Sequence, residues 1–151
     1  MSKKHATPTA VQAITELILE TFRLNGRLLD SGDLLVRDLG LTSARWQVLG
    51  AIAAAQAPLP IAHIARNMGL SRQAVQRLAD AMEKDGLLRF QDNPHHSRAK
   101  FVVMTNTGEA AFRGAMSRQH VWAGKLAEGI GADDFECATR LLRTLRARLE
   151  D

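Results

Sequence analysis

Cysteine is nearly missing from this 151-residue chain. Cys137 stands alone, so no internal disulfide can form, and a reducing, cytoplasmic setting is expected. Long apolar runs are missing too: no stretch approaches the roughly 18 residues that a membrane span needs, so no membrane partner is expected. The polar start, Met1 to Thr9, lacks the apolar segment of a secretion signal. There are no repeats and no low-complexity segments. No nucleophile–base–acid set and no phosphate loop can be found, so the chain is not expected to be an enzyme or to carry a cofactor. His95 and His96 are adjacent, but neighbouring side chains rarely converge on one ion without further ligands, and no metal is expected. What is present is an ordinary globular composition, 46% hydrophobic and 24% charged, in a chain of one-domain length.

The formal net charge is +4, and its position is more informative than its size. Residues 1–41 carry five basic and five acidic side chains, and residues 106–151 carry seven of each. Residues 42–105 carry eight basic side chains (Arg45, Arg66, Arg72, Arg77, Lys84, Arg89, Arg98, Lys100) against four acidic ones. The whole excess therefore falls in the middle of the chain, as in a polyanion-binding module with neutral arms.

Hydrophobic periodicity predicts an amphipathic helix over 9–29 (Val11, Ile14, Leu17, Ile18, Leu24, Leu28), interrupted at Ser31-Gly32-Asp33. Thr42-Ser43 can cap a second helix to about Ala55, after which Pro58 and Pro60 break the chain. Ile61, Ile64, Ala65 and Met68 form one face of a third helix, closed by Gly69. Ser71 caps a fourth with the matching stripe Val75, Leu78, Ala79, Met82, ended by Gly86. Two short helices on a glycine turn make a helix-turn-helix. Leu87–Phe90 and Phe101–Thr105 read as two strands of a hairpin around a polar loop, 91–100. A helix over 107–128 follows. A last one, capped by Asp133 or Asp134, runs to Leu149. The fold class is mainly α with a small β-hairpin wing: a winged helix-turn-helix flanked by N- and C-terminal helices.

This order, with the runs Leu41-Thr42-Ser43-Ala44-Arg45-Trp46-Gln47-Val48-Leu49, Ile61-Ala62-His63-Ile64-Ala65, Leu70-Ser71-Arg72-Gln73-Ala74-Val75-Gln76-Arg77-Leu78, Met82-Glu83-Lys84-Asp85-Gly86-Leu87-Leu88-Arg89 and Met104-Thr105-Asn106-Thr107-Gly108, resembles the multiple antibiotic resistance regulator (MarR) family of winged helix-turn-helix transcription factors. The resemblance covers nearly the whole chain in element order and is most specific over 61–108. It implies a homodimer built from the first and last two helices. The expected organisation is an N-terminal dimerisation arm (1–41), a DNA-binding lobe (42–105) and C-terminal dimerisation helices (106–151) within one integrated domain. At the wing the chain departs from the family: His96 occupies the position, two before Arg98, where an acid is usual.

Opposite its apolar stripe, the fourth helix offers Arg72, Gln73, Gln76 and Arg77. Arg suits guanine O6 and N7, and Gln suits adenine N6 and N7, in a major groove. Ser71 can cap that helix or reach a phosphate. Arg98 and Lys100 sit in a loop suited to the minor groove and backbone. His63, Arg66, Arg45 and the segment Gln56 to Pro60 are further candidates for phosphate contact. For the small aromatic or phenolic effector that the resemblance implies, the candidates are Phe22, Trp46, Trp122, His120 and Arg45, although both Trp side chains fit better as core. Cys137 is expected to be a buried or dimer-interface thiol. The basic, amphipathic last helix fits either a membrane surface or, as favoured here, a second copy of the chain.

The expected function is a homodimeric regulator of double-stranded DNA at a pseudo-palindromic operator, a repressor released by a small ligand. The alternative is a winged-helix protein–protein interaction module, which would keep the apolar stripes without needing Arg and Gln on the fourth helix.

Overall fold

The computed structural model describes residues 9–96 and 98–150. The expectation for the polar start falls, up to Pro8, outside the described residues. The first helix, α1 (Ala10–Val36), opens with a reciprocal cap: Thr9 Oγ1 accepts from Gln12 N at 3.3 Å, and Gln12 Oε1 accepts from Thr9 N at 2.8 Å.

Contrary to the sequence expectation, α1 does not stop at Ser31-Gly32-Asp33 but continues through it. The reason is a contact ten residues along the chain. Ser43 N donates to Asp33 Oδ1 at 2.6 Å, and Ser43 Oγ donates to the Leu29 carbonyl at 2.8 Å. A Cβ on Gly32 would overlap Ser43 Oγ. The glycine is therefore a notch in a continuous helix into which the next element docks, and no left-handed turn is involved.

A 3-10 turn, Arg37–Leu39, closes on Gly40 (φ 71°) and leads to α2 (Ser43–Ala53), where Thr42 Oγ1 accepts from Arg45 N at 3.2 Å. Leu59–Pro60 forms a two-residue strand, β1, antiparallel to a later one. The helix-turn-helix follows as α3 (Ile61–Met68) and α4 (Arg72–Lys84). Gly69 takes the left-handed conformation (φ 65°) that ends α3, and Ser71 Oγ accepts from Ala74 N at 3.2 Å to start α4.

The wing strands are β2 (Leu88–Gln91) and β3 (Phe101–Met104), registered Leu88 to Met104 through Gln91 to Phe101. The sheet has three strands in the order β1-β3-β2, one more than the expected hairpin. A proline in an edge strand leaves no ladder donor unsatisfied, so Pro60 both ends that strand and leads into α3. α5 (Asn106–Ala127) and α6 (Ala132–Glu150) complete the described chain. Asp133 and Asp134 lie inside the first turn of α6 rather than capping it, where their charge favours the helix N-terminus.

The chain divides into two compact units, at Ala115 and Met116. In the first, both stripes of the helix-turn-helix close on one core. Val36, Leu41, Val48, Leu49, Ile64, Val75, Ala79, Met82, Leu88 and Val102 are buried, with Met68, Leu78 and Trp46 packed against them. The end of α1 thus contributes to the same core as the helix-turn-helix. The second unit is two helical segments meeting at Gly129 (φ 78°), and among its described residues α6 buries none. No described helix is long and apolar enough to cross a membrane.

Candidate nucleic-acid interface

The orientation of α4 follows from its apolar stripe. Val75, Ala79 and Met82 are fully buried, which turns Arg72, Gln73 and Arg77 to solvent and leaves Gln76 half-buried. Arg72, Gln73, Gln76 and Arg77 together line a shallow depression on the helix surface. Ser71 is spent on the cap as an acceptor, but its hydroxyl proton stays available for a phosphate oxygen. Gln76 Nε2 donates to Asp80 Oδ1 at 2.7 Å, one turn further along.

Beside this face lies a cradle of about 350 Å³. Ile61 and Phe90 contribute apolar surface to its lining, Arg72 and Lys100 supply cations, and His63, His96 and Gln76 line it with them. Arg72, Gln76 and Lys100 were identified separately, on a helix and in a loop, and the fold brings them to one place. His63 joins them from the start of α3. Arg66 is exposed further along that helix.

Sequence reasoning missed how the wing is held. Asn93 is buried, and its side chain closes the loop. Its Nδ2 donates to the Ala99 carbonyl at 2.9 Å, while its Oδ1 accepts from His95 N at 2.9 Å. Two turn bonds, His96 N to Asn93 O at 3.2 Å and Ala99 N to His96 O at 3.0 Å, complete it. Arg98 and Lys100 are both exposed on this frame. An Asn just before Pro94 in a polar loop is the local signal that could have pointed to it.

Arg45 is not held out toward solvent as a free cation. Its Nη2 lies 2.7 Å from Asp85 Oδ2, and its Nη1 donates to the Gly40 carbonyl at 3.2 Å. Asp85 caps the C-terminus of α4, where an acid is unfavourable beside the helix dipole, and Arg45 offsets that. The beginning of α2 and the end of α4 are thereby tied. Behind them, Thr105 Oγ1 donates to the Gly86 carbonyl at 2.6 Å and accepts from Gly108 N at 3.1 Å. A Cβ on Gly108 would collide with the Leu87 carbonyl.

The remaining candidates for an effector site fall in different units. Phe22 is 70% exposed on α1, and Trp46 is half-buried against the core of the first unit. His120 (exposed) and Trp122 (half-buried) lie on the second-unit part of α5. Cys137 is exposed on α6, which removes the buried-thiol expectation for the single chain.

Comparison with known proteins places this geometry. A family model for the MarR family matches residues 39–99. The uncharacterized protein Rv2011c of Mycobacterium tuberculosis is 30% identical over 137 residues, covering 91% of this chain and 94% of that one. The transcriptional activatory protein BadR of Rhodopseudomonas palustris is 30% identical over 129 residues, covering 81% of this chain and 68% of BadR. Among solved structures, CouR from Rhodococcus jostii RHA1 bound to p-coumaroyl-CoA superposes with a TM-score of 0.76 at 22% identity, covering 92% of this chain and 95% of CouR. The transcriptional repressor CouR bound to a 23-mer DNA duplex gives a TM-score of 0.76 at 22% identity over 93% and 99% of the two chains. The chain belongs to the MarR family of winged helix-turn-helix transcriptional regulators.

Proposed function

We propose that the chain is a cytoplasmic, homodimeric, sequence-specific DNA-binding repressor, released from its operator by a small aromatic or phenolic ligand. The observation that carries the DNA-binding reading is the presentation of Arg72 and Gln76 on α4 and of Lys100 on the wing across one cradle, with Gln73 and Arg77 beside them on the same helix face. In this reading the helix face reads base edges in the major groove, Arg98 enters the adjacent minor groove, and Lys100 and Ser71 meet phosphates. CouR, solved on a DNA duplex, shares the fold.

The dimer reading rests on apolar side chains that the single chain leaves exposed: Val11, Ile18 and Phe22 on α1, and Phe135, Leu141 and Leu142 on α6. Segments 1–41 and 106–151 would form the dimerisation arms around a DNA-binding lobe, 42–105. Two such lobes would place their recognition helices about 34 Å apart on a pseudo-palindromic site. The ligand class is taken from CouR, whose bound p-coumaroyl-CoA carries a phenolic acyl group. Phe22 and Trp46 in the first unit are side chains proposed to meet it, as are, separately, His120 and Trp122 in the second. Arg45 would join them only by exchanging its Asp85 partner.

Equilibrium binding of the full chain to a site selected from random DNA, compared with scrambled DNA over a salt series, tests the core of this reading. Tight, selective binding with a steep salt slope is expected. Weak binding insensitive to salt would instead favour the protein–protein interaction module. Adding aromatic acids and their coenzyme A thioesters should release the selected site, and transcription from a promoter carrying it should rise when the regulator is removed.

A further inference from the structure

Gln76 and Asp80 stand one turn apart on α4, with Gln76 Nε2 donating to Asp80 Oδ1 at 2.7 Å. From Ser71 to Ala79 the helix carries Arg72 and Arg77 and no acid, and then Asp80 appears at the end of the same exposed stretch. A carboxylate there would be repelled by approaching phosphates, so its presence calls for a local reason. The neighbouring acids of α4 have theirs: Glu83 Oε1 accepts from Phe90 N at 3.2 Å, and Asp85 pairs with Arg45. Asp80 has Gln76.

We propose that Asp80 is a specificity-determining positioning residue: by holding one amide proton of Gln76, it commits that side chain to adenine over guanine. This rests on the DNA-binding reading of α4. The chemistry is a matter of counting donors. An ionised carboxylate only accepts, so Asp80 fixes the amide with Nε2 toward itself and Oε1 away. A free glutamine amide has two N–H donors and one carbonyl, and can offer two donors to the N7 and O6 acceptors of guanine or a donor–acceptor pair to N7 and N6–H2 of adenine. With one donor engaged by Asp80, only the adenine pairing remains complete. Gln76 is also half-buried, with Phe90 and Lys100 beside it in the cradle, so it has little freedom to swing away from the carboxylate.

The test uses the full chain. Wild type selects its site from random DNA, and Asp80→Ala, Asp80→Asn and Gln76→Ala are then measured on that site, on its single-base variants and on scrambled DNA. Wild type should prefer adenine over guanine by about tenfold at one position of each half-site, a preference that Gln76→Ala abolishes. In Asp80→Ala the preference should fall to about two- or threefold, while affinity for scrambled DNA rises about twofold as an acid leaves the face. Asp80→Asn keeps an acceptor for the amide proton and should retain most of the preference, which a general structural role of the charge would not allow. Asp80 is exposed and alanine is the better helix former, so loss of fold does not stand in the way. An unchanged adenine-to-guanine ratio in Asp80→Ala overturns the inference alone, as does a loss confined to a cytosine position, which would make Asp80 itself the reader. Wild type selecting no sequence over random DNA overturns the inference together with the DNA-binding reading beneath it.

Discussion

The winged helix-turn-helix lobe and α6 use apolar residues in opposite ways. In the lobe, the apolar stripes find their partners within the chain: Ile64 from α3, Val75 and Met82 from α4, Leu49 from α2 and Val102 from β3 share one buried cluster. On α6, Phe135, Leu141, Leu142 and Leu149 are all exposed, and no described residue of that helix is buried. A helix of this amphipathicity gains its stability from packing, not from propensity. The lobe therefore carries its own folding information, whereas α6, in the dimer proposed above, would carry information about association. This contrast predicts that damage to the lobe lowers stability at any protein concentration, and that damage to α6 alters assembly first.

The sharpest way to break the contrast starts in the core. Leu49→Ala should cost about 2–5 kcal/mol, measured by urea denaturation, at every protein concentration. A loss near zero would mean that the lobe is not the folding centre. Charges placed on the exposed apolar face of α6 come next. Leu141→Asp combined with Leu142→Asp should halve the mass seen by sedimentation and weaken operator binding at least tenfold, while helicity is largely kept. A double variant that stays dimeric would show that α6 is not the interface.

Smaller effects probe the joints. Gly32→Ala should destabilise by about 1–3 kcal/mol, because the added methyl meets Ser43 Oγ where α2 docks on α1. The same change at Gly26, where an added Cβ meets nothing within 4 Å, should instead stabilise slightly, by about 0.5–1 kcal/mol. Melting curves of the two side by side decide between a packing notch and a flexible link. Smallest is Arg45→Met. The ion pair with Asp85 is half exposed on the acid side, so the stability loss should be about 1 kcal/mol or less and should shrink in high salt. A salt-independent loss would assign the role to packing of the arginine stem.

How much of this was legible in the sequence follows the range of each signal. The helix-turn-helix was readable because its signals are local: Gly69 and Ser71 act on their own backbones, and both stripes repeat within a helix. The α4 face followed, since fixing Val75, Ala79 and Met82 inward also fixes Arg72, Gln73 and Arg77 outward. Ser31-Gly32-Asp33 reads as a stop in the sequence because its partner, Ser43, lies across a turn. Without that contact, the same triplet is a fair stop signal. The strand Leu59–Pro60 has too few residues to show a period, and only Phe101 and Val102 define it. The Arg45–Asp85 tie spans forty residues of sequence, and no local rule links its members. The Gln76–Asp80 pair stands one turn apart on α4, a spacing that the sequence alone displays.

The Thr105 hydroxyl has a consequence for how this lobe can vary in length. It joins Gly86, just past the recognition helix, to Gly108 in the first turn of α5, and Gly108 itself sits flush against the Leu87 carbonyl. An inserted residue on either side of that joint would break the bond or drive a side chain into the backbone. The hairpin between the two anchor points is free of this restriction at its far end, beyond the Asn93–Ala99 closure. Insertions and deletions should therefore be tolerated at the wing tip and rejected at its root, so the reach of the wing can change without resetting the angle of the helix beside it.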